Sequence, residues 1–424
     1  MHPYIRMNRK KALEYAFYII SFFYFINCLT TLRLHVDTVR YFSILNCIEH
    51  GCPSNSYAAH DYLPYGYTIM LFILDKLHIL YSFNIVFLNG IYLFAGLYFI
   101  TQIFEFPRCA LYLYFLLVLL NWTIIKFFLH PLSEMQYFFF SSGGLYFFHK
   151  YLNHKKIKFI FYSFIFSLLA FLTRTIGFTL VISLLFSFLY YNRVFIIYHF
   201  KKYRIYMVIF ALLLLSIFWF AKLFGLLHYS GVFENQFNHG IAFYQPILWH
   251  FHELGEIFSN LTSDKIYHFL KLNIVHLFFD LTGVLSLIFI FYLIFRFKDI
   301  HSLSVLSYCV LYSVVILLWP FYDPRFWVPI FPIFIAVILF NISRMLILKY
   351  LRKYIYVYVC TYAFLGLSAI LYSTYLTLNH EALAKQQANG VYRNEYEMYF
   401  YGKTLSDSAK YINPDIVFYL KKYN

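Results

Sequence analysis

The chain has 424 residues, of which 62% are hydrophobic, 24% aromatic and only 12% charged, and its formal charge is +15. Soluble domains carry roughly 45–50% apolar and about 25% charged residues, so this composition excludes a soluble globular domain, a disordered chain and a collagen-like fibre. The positive charge points to membrane lipids as partners and not to nucleic acid, because Lys and Arg lie between apolar runs instead of gathering on one polar face.

Apolar runs long enough to cross a bilayer are expected at about 12–32, 84–104, 108–125, 132–150, 157–173, 175–192, 204–226, 273–295, 301–320, 326–343 and 354–376. The first is long and lacks a small-residue cleavage site, so it reads as a span and not as a cleaved signal peptide. Residues 64–82 are also apolar, but they open at Pro64 and carry Asp75-Lys76, which we read as a local ion pair at the interface. This segment is expected to dip into the membrane without crossing it. With the basic N-terminus (Arg6, Arg9, Lys10, Lys11) in the cytoplasm, the short basic linkers around Lys155, Lys201, Arg296 and Arg352 all fall on that side. A twelfth crossing at 64–82 would invert every later linker. The expected fold is therefore all-α: a polytopic transmembrane helix bundle of about eleven spans with amphipathic juxtamembrane helices. It occupies residues 1–376, with external loops at 33–83 and 227–272, and is followed by a short extracytoplasmic tail at 377–424. Large loops on a rigid scaffold are where binding and catalysis concentrate.

In the first loop, Tyr41, Ile44, Leu45 and Ile48 recur at helical spacing, which predicts an amphipathic helix over 38–49 lying on the membrane, with Asp37 at its N-cap position. Asp37 is also a carboxylate at the depth of a lipid phosphate, placed to act as a base or a metal ligand. Arg40, one turn on, faces either a phosphate or the interface. Cys47 and Cys52 share this loop, and the reading leans against their pairing. His60 and Asp61 precede the Pro64 turn as a candidate pair. Glu134 opens the fourth span, where an ionisable group points to function. Arg174 sits in a short turn on the side where positive charge is sparse, which suits an anionic lipid head group. Asp323 and Arg325 occupy another such turn. His276 and Asp280 lie four apart in the eighth span and read equally as a cavity pair or as an interhelical hydrogen bond. Six cysteines form no framework, and no CxxC, HExxH, Walker or GxGxxG pattern occurs. The halves do not mirror each other as inverted-repeat transporters do.

Five short motifs in this order carry a resemblance: Asp37-Thr-Val-Arg40-Tyr41 after the first span, Leu63-Pro64-Tyr-Gly66-Tyr67 before the dipping segment, Pro131-Leu-Ser-Glu134 opening the fourth span, Arg174-Thr-Ile-Gly177, and Asp323-Pro-Arg325-Phe followed by Pro329 and Pro332. Over about residues 10–345 the chain resembles the GT-C superfamily of polytopic glycosyltransferases, specifically the branch of protein O-mannosyltransferases and lipid A aminoarabinose transferases. The resemblance implies a polyprenyl-phosphate sugar donor and a glycan, lipid or protein acceptor arriving from the extracytoplasmic side. It implies Asp37 as base, or as metal ligand if a divalent ion such as Mg or Mn is the cofactor. Arg174 and Arg325 would stabilise the departing phosphate, and Glu134 would position the sugar or acceptor. Arg40, Tyr41, His60, Asp61 and Asp323 would line the substrate site, and a single displacement would invert the anomeric centre. The alternatives are an O-antigen-type polymerase or ligase and, further off, a transporter. The basic N-terminus and AT-rich residue usage point to a bacterial inner membrane; the sequons Asn121-Trp-Thr123 and Asn260-Leu-Thr262 leave the endoplasmic reticulum open.

Overall fold

A computed structural model of the chain describes residues 3–52, 56–61, 63–193, 240–272, 274–296, 302–342, 348–405 and 411–424, together with positions 234, 236 and 238. The expected span 204–226 and the start of the second external loop lie outside the described residues. Among these residues all regular structure is helical. In chain order the α-helices are α1 (Pro3–Asn27), α2 (Val36–His50), α3 (Tyr65–Lys76), α4 (Ser82–Phe104), α5 (Arg108–Leu119), α6 (Trp122–Phe128), α7 (Glu134–His154), α8 (Ile157–Thr173), α9 (Phe178–Tyr191), α10 (Tyr244–Ser259), α11 (Ser263–Leu270), α12 (Ile274–Arg296), α13 (Ser302–Leu317), α14 (Phe331–Ile342), α15 (Leu348–Leu378), α16 (His380–Gln386), α17 (Arg393–Tyr401) and α18 (Pro414–Tyr423). Short 3-10 segments occupy Tyr57–His60, Thr175–Gly177, Pro324–Trp327 and Gln387–Gly390.

Three helices among the described residues are long and apolar enough to cross a membrane: α4, α12 and the Lys353–Leu378 part of α15. The pair α5 and α6 passes the same test but is bent by 67° at its break. Four further expected spans are apolar but shorter: Ile157–Thr173, Thr175–Tyr191, Leu303–Leu317 and Phe331–Asn341. Turns at Arg174 and in the proline-rich 320–329 stretch cut these runs short. α7 is long but polar along one side, and it buries Ser141, Ser142, Gly143, Gly144 and His149. α3 has 12 residues, about 18 Å of helix at 1.5 Å per residue, too short to cross a hydrocarbon core of about 30 Å.

The break between α5 and α6 shows how a bent membrane helix satisfies its freed backbone. Asn121 caps α6 with its side chain. The amide of Asn260 donates to Leu120 O and Tyr362 O at 2.9 Å each, while its Oδ1 accepts from Trp122 N at 2.8 Å. Tyr24 and Tyr362 hydroxyls donate to Leu119 O and Leu117 O. Asn260 can serve here because its φ of 58° ends α10 in the left-handed region, which Asn tolerates. α15 comes close enough that any Cβ on Gly366 would collide with Leu120 O. Both sequon asparagines, Asn121 and Asn260, are buried and hydrogen-bonded in this clamp, so the folded chain offers neither to a glycan.

Two segments differ from their sequence reading. Within the loop expected at 227–272, α10 runs antiparallel along α12, with Gly255 against Phe279 and Gly283 against Phe251 at backbone contact. His252 of α10 takes Asp280 at 2.7 Å, so Asp280 makes an interhelical bond and is not paired with His276. The tail after 377 folds back onto the first loop. Tyr396 OH donates to Leu32 O and accepts from Leu34 N, Gln387 donates to Leu34 O, and Asn424 accepts from Leu32 N. Phe42 of α2 stacks on Tyr423 and Tyr419 of α18, with ring centroids 4.7 and 5.7 Å apart. The apolar face of α2 is thus covered largely by protein: Tyr41, Ile44 and Leu45 are buried, and only Ile48 of the expected stripe is exposed. Cys47 and Cys52 are disulfide-bonded, against the leaning of the sequence reading. Asp75 and Lys76 are not a local pair. Lys76 meets Glu49 at 3.2 Å, and Lys422 of the tail sits 3.7 Å from both Glu49 and Asp75.

Candidate active site

The site begins with a correction at the start of α2. His35, not Asp37, is the N-cap: its Nδ1 accepts from Asp37 N at 3.4 Å. Asp37 therefore lies in the first helical turn, where a carboxylate suits the positive end of the helix, and its side chain points to charged partners instead of its own backbone. Its Oδ1 takes Arg40 Nη1 at 2.8 Å and its Oδ2 takes Arg325 Nη2 at 2.5 Å.

From Asp37 an ion-pair chain runs both ways. Arg40 grips Asp61 with two parallel bonds of 2.8 and 2.6 Å, the fork geometry that Arg makes and Lys cannot. Asp61 also accepts from Leu63 N, fixing the turn before Pro64. In the other direction Arg325 Nε lies 2.8 Å from Asp323 Oδ2 and 3.8 Å from Glu134 Oε1. Asp323 caps the Pro324–Trp327 turn by accepting from Arg325 N, so one carboxylate fixes both backbone and guanidinium. Glu134 pairs through Oε1 with Arg174 Nη1. Glu134 is 1% exposed and its Oε2 has no hydrogen-bond partner. Tyr41 OH donates to Ser133 Oγ at 3.0 Å, and Thr38 donates to Pro131 O, which ties α2 to the start of α7. The ring of Phe326 lies 5.7 Å from the Arg174 guanidinium and 5.2 Å from that of Arg325, a cation–π arrangement shared by two cations.

Four carboxylates thus face three guanidiniums. Burial pushes the Asp37 carboxyl up, but Arg325 and Arg40 outweigh it and hold it down at about 2. Burial lowers Arg174 and Arg325, yet Glu134 raises the first, and Asp323 with Asp37 the second, above the ordinary arginine value. Burial, seconded by Arg325, lowers His35, which favours the neutral ring. Burial raises the Tyr41 phenol, which stays a donor.

Asp37, Arg40, Tyr41, Asp61, Glu134, Arg174, Asp323 and Arg325 come from five separate stretches of sequence, and the fold brings them together. His60 is exposed at the end of its 3-10 turn, and the chain of pairs runs through Asp61 instead. Sequence reasoning missed His35 as the cap and read Ser133 only as part of the motif that opens the fourth span, whereas the Tyr41 hydroxyl donates to it. It also missed His250 and Glu253 behind the Asp323 turn, although their spacing of three in HFHELGE was legible. Among the described residues no three His, Cys, Asp or Glu side chains converge as a metal-binding group, and both oxygens of Asp37 are engaged by arginines.

No protein-family model, curated protein or solved structure matches this chain.

Proposed function

We propose that the protein is an integral-membrane glycosyltransferase of the GT-C kind that moves a sugar from a polyprenyl-phosphate donor to an acceptor on the extracytoplasmic face. The observation that carries this reading is the junction of Asp37 and Glu134 with Arg174 and Arg325 at the mouth of an apolar helix bundle. The transfer needs a base for the acceptor hydroxyl and fixed positive charge for the departing phosphate. Arg174 and Arg325, with Phe326 between them, are suited to the phosphate. Asp37, held at about 2 while Arg325 stays on it, is a weak base at rest. A donor phosphate that draws Arg325 toward itself raises the basicity of Asp37 when the acceptor must be deprotonated. The hydroxyl then gives its proton to Asp37, its oxygen bonds the anomeric carbon from the side opposite the phosphate, and the sugar–phosphate C–O bond breaks with its electron pair leaving on the phosphate. Inversion follows. Glu134 positions the sugar or acceptor, and Arg40 with Asp61 holds Asp37 in place.

The contacts also bear on the order of the first four expected crossings. Thr38 and Tyr41 of the first loop touch Pro131 and Ser133 just before α7. Once α4 has crossed inward, the chain reaches that contact only if α5 and α6 together cross outward. We therefore read them as one broken span and not a re-entrant loop; their 12 and 7 residues give about 28 Å of helix. In this arrangement the site faces the exterior or periplasm of a bacterial inner membrane.

The test is sugar transfer from a panel of radiolabelled polyprenyl-phosphate sugars by purified wild type and Asp37→Asn in liposomes. Turnover by wild type that falls at least about 10²-fold in the variant, with lipid binding retained, is the expected outcome. Turnover unaffected by Asp37→Asn sinks this mechanism and favours a polymerase or ligase.

A further inference from the structure

α10 carries a polar pair outside the ion-pair chain. His250 and Glu253, three apart on one side of the helix, both have fully buried side chains, 0% exposed. His250 Nδ1 lies 2.7 Å from Glu253 Oε2, and His250 Nε2 lies 2.7 Å from the carbonyl oxygen of Trp319. A carbonyl has no proton to give, so Nε2 carries one. The second contact then also needs a proton, because two lone pairs repel at that distance. The pair therefore shares one proton and is neutral whichever atom holds it.

His250 grips the turn from which Arg325 projects, and Glu253 fixes the His250 ring from behind. His250 holds Trp319 O at its beginning, and its ring lies edge-on to Phe326 and Trp327 at its end. In the middle, Asp323 acts on the Glu253 carboxylate through charge, and Glu253 Oε1 is buried without a hydrogen-bond partner. Arg325 reaches Asp37 from between these anchors. We propose that His250 and Glu253 are positioning residues that hold the 319–327 turn, and with it Arg325, at the phosphate site through their shared proton. This rests on the transferase reading. Removing that proton at alkaline pH sets the Glu253 carboxylate against a bare ring nitrogen and loosens the turn.

Other titratable groups near this pair are engaged elsewhere or bear on it weakly. Asp323 and Tyr322 of the turn act on Glu253 through charge. On α10 itself Glu256 accepts from Ser263 N, and His252 is bonded to Asp280 of α12. Tyr312 of α13 donates to Phe326 O.

The experiment measures polyprenyl phosphate binding to the full-length protein in detergent across pH, with thermal unfolding of the same samples without lipid. Glu253→Gln keeps a donor toward His250 but no shared acid proton. Wild type should bind more weakly on the alkaline side. Glu253→Gln should match it at neutral pH and lose the alkaline weakening, whereas Glu253→Ala should bind about ten-fold more weakly throughout, as supporting-residue losses do. A Glu253→Gln curve that follows wild type overturns the proposal. If wild type binds no polyprenyl phosphate at any pH, the transferase reading falls and the lipid-free arm decides this one. An alkaline drop in unfolding temperature that Glu253→Gln abolishes supports the shared proton; the same drop in both, or none in either, overturns it. His250→Gln, with the same expectation, replaces Glu253→Gln should that variant not fold.

Discussion

Arg325 is the side chain on which most of the site depends, since it touches Asp37 and Asp323 and comes within reach of Glu134. A lysine is a single point charge and cannot span those partners, so Arg325→Lys should lose about 10²-fold in sugar transfer while remaining folded; near-normal turnover would show that the fork is not needed. Asp37 sets an acid limit. Its carboxyl is depressed to about 2 from an ordinary value near 3.9. A depressed group lends stability that is fully present above its ordinary value and is lost as pH falls toward the folded one. The amount is about 2.6 kcal/mol, so unfolding temperature should fall between about pH 5 and pH 2 in wild type and more shallowly in Asp37→Asn. Equal slopes would mean that the Asp37 pairs do not stabilise the fold. Arg174→Met leaves buried Glu134 only its longer contact with Arg325 and should destabilise by about 3 kcal/mol. Adding Glu134→Leu should restore most of that stability without restoring transfer, and a double variant that still transfers sugar would assign the pair to structure alone. The residues of this site were legible because charge is rare in so apolar a chain. Which carboxylate met which arginine was not, because the partners lie in stretches far apart in sequence. The Asp37 cap was misassigned because the helix starts at Val36, before the apolar stripe begins, and His35 offers its ring nitrogen to Asp37 N.

Among the elements, hydropathy found where the chain is apolar and missed where it bends. The run at 108–125 reads as one helix, yet it breaks at Leu120–Asn121 because Asn260 and Tyr362, more than a hundred residues away, supply the hydrogen bonds that let it break. No local pattern reports a donor so distant. Asn260→Ala leaves Leu120 O, Tyr362 O and Trp122 N without that partner, and should destabilise by about 2 kcal/mol, given that buried hydrogen bonds between membrane helices average about 0.6 kcal/mol and reach about 1.7. Denaturant unfolding in detergent measures this, and a change within error would mean that water replaces the side chain. Gly366→Val drives a branched side chain into Leu120 O and should separate α15 from the break, with loss of folded yield. α3 was legible as a non-crossing segment because Pro64 at one end and the charged residues Asp75 and Lys76 at the other bound it closely.

For the whole molecule, a tail that looked too short for a domain closes the structure. Its Tyr396, Gln387 and Asn424 satisfy the backbone of Leu32 and Leu34 just before α2. Truncation after Leu378 removes no residue of the ion-pair chain, yet it should abolish transfer by freeing the segment that aims Asp37. A truncated protein of wild-type activity would refute that coupling. The ion-pair chain, with four carboxylates against three guanidiniums, also bears on which anions the proposed transferase would admit. On the proposed reading, an entering phosphate must break guanidinium–carboxylate pairs that already hold one another. A sulfate or free phosphate from the medium brings no other interaction to offset that rupture. A polyprenyl chain, anchored by about 0.8 kcal/mol for each methylene moved from water into the bilayer, instead holds its phosphate at high local concentration beside the site. On the proposed reading, the resting site is a lock against soluble anions, opened by ligands that arrive already anchored in the membrane.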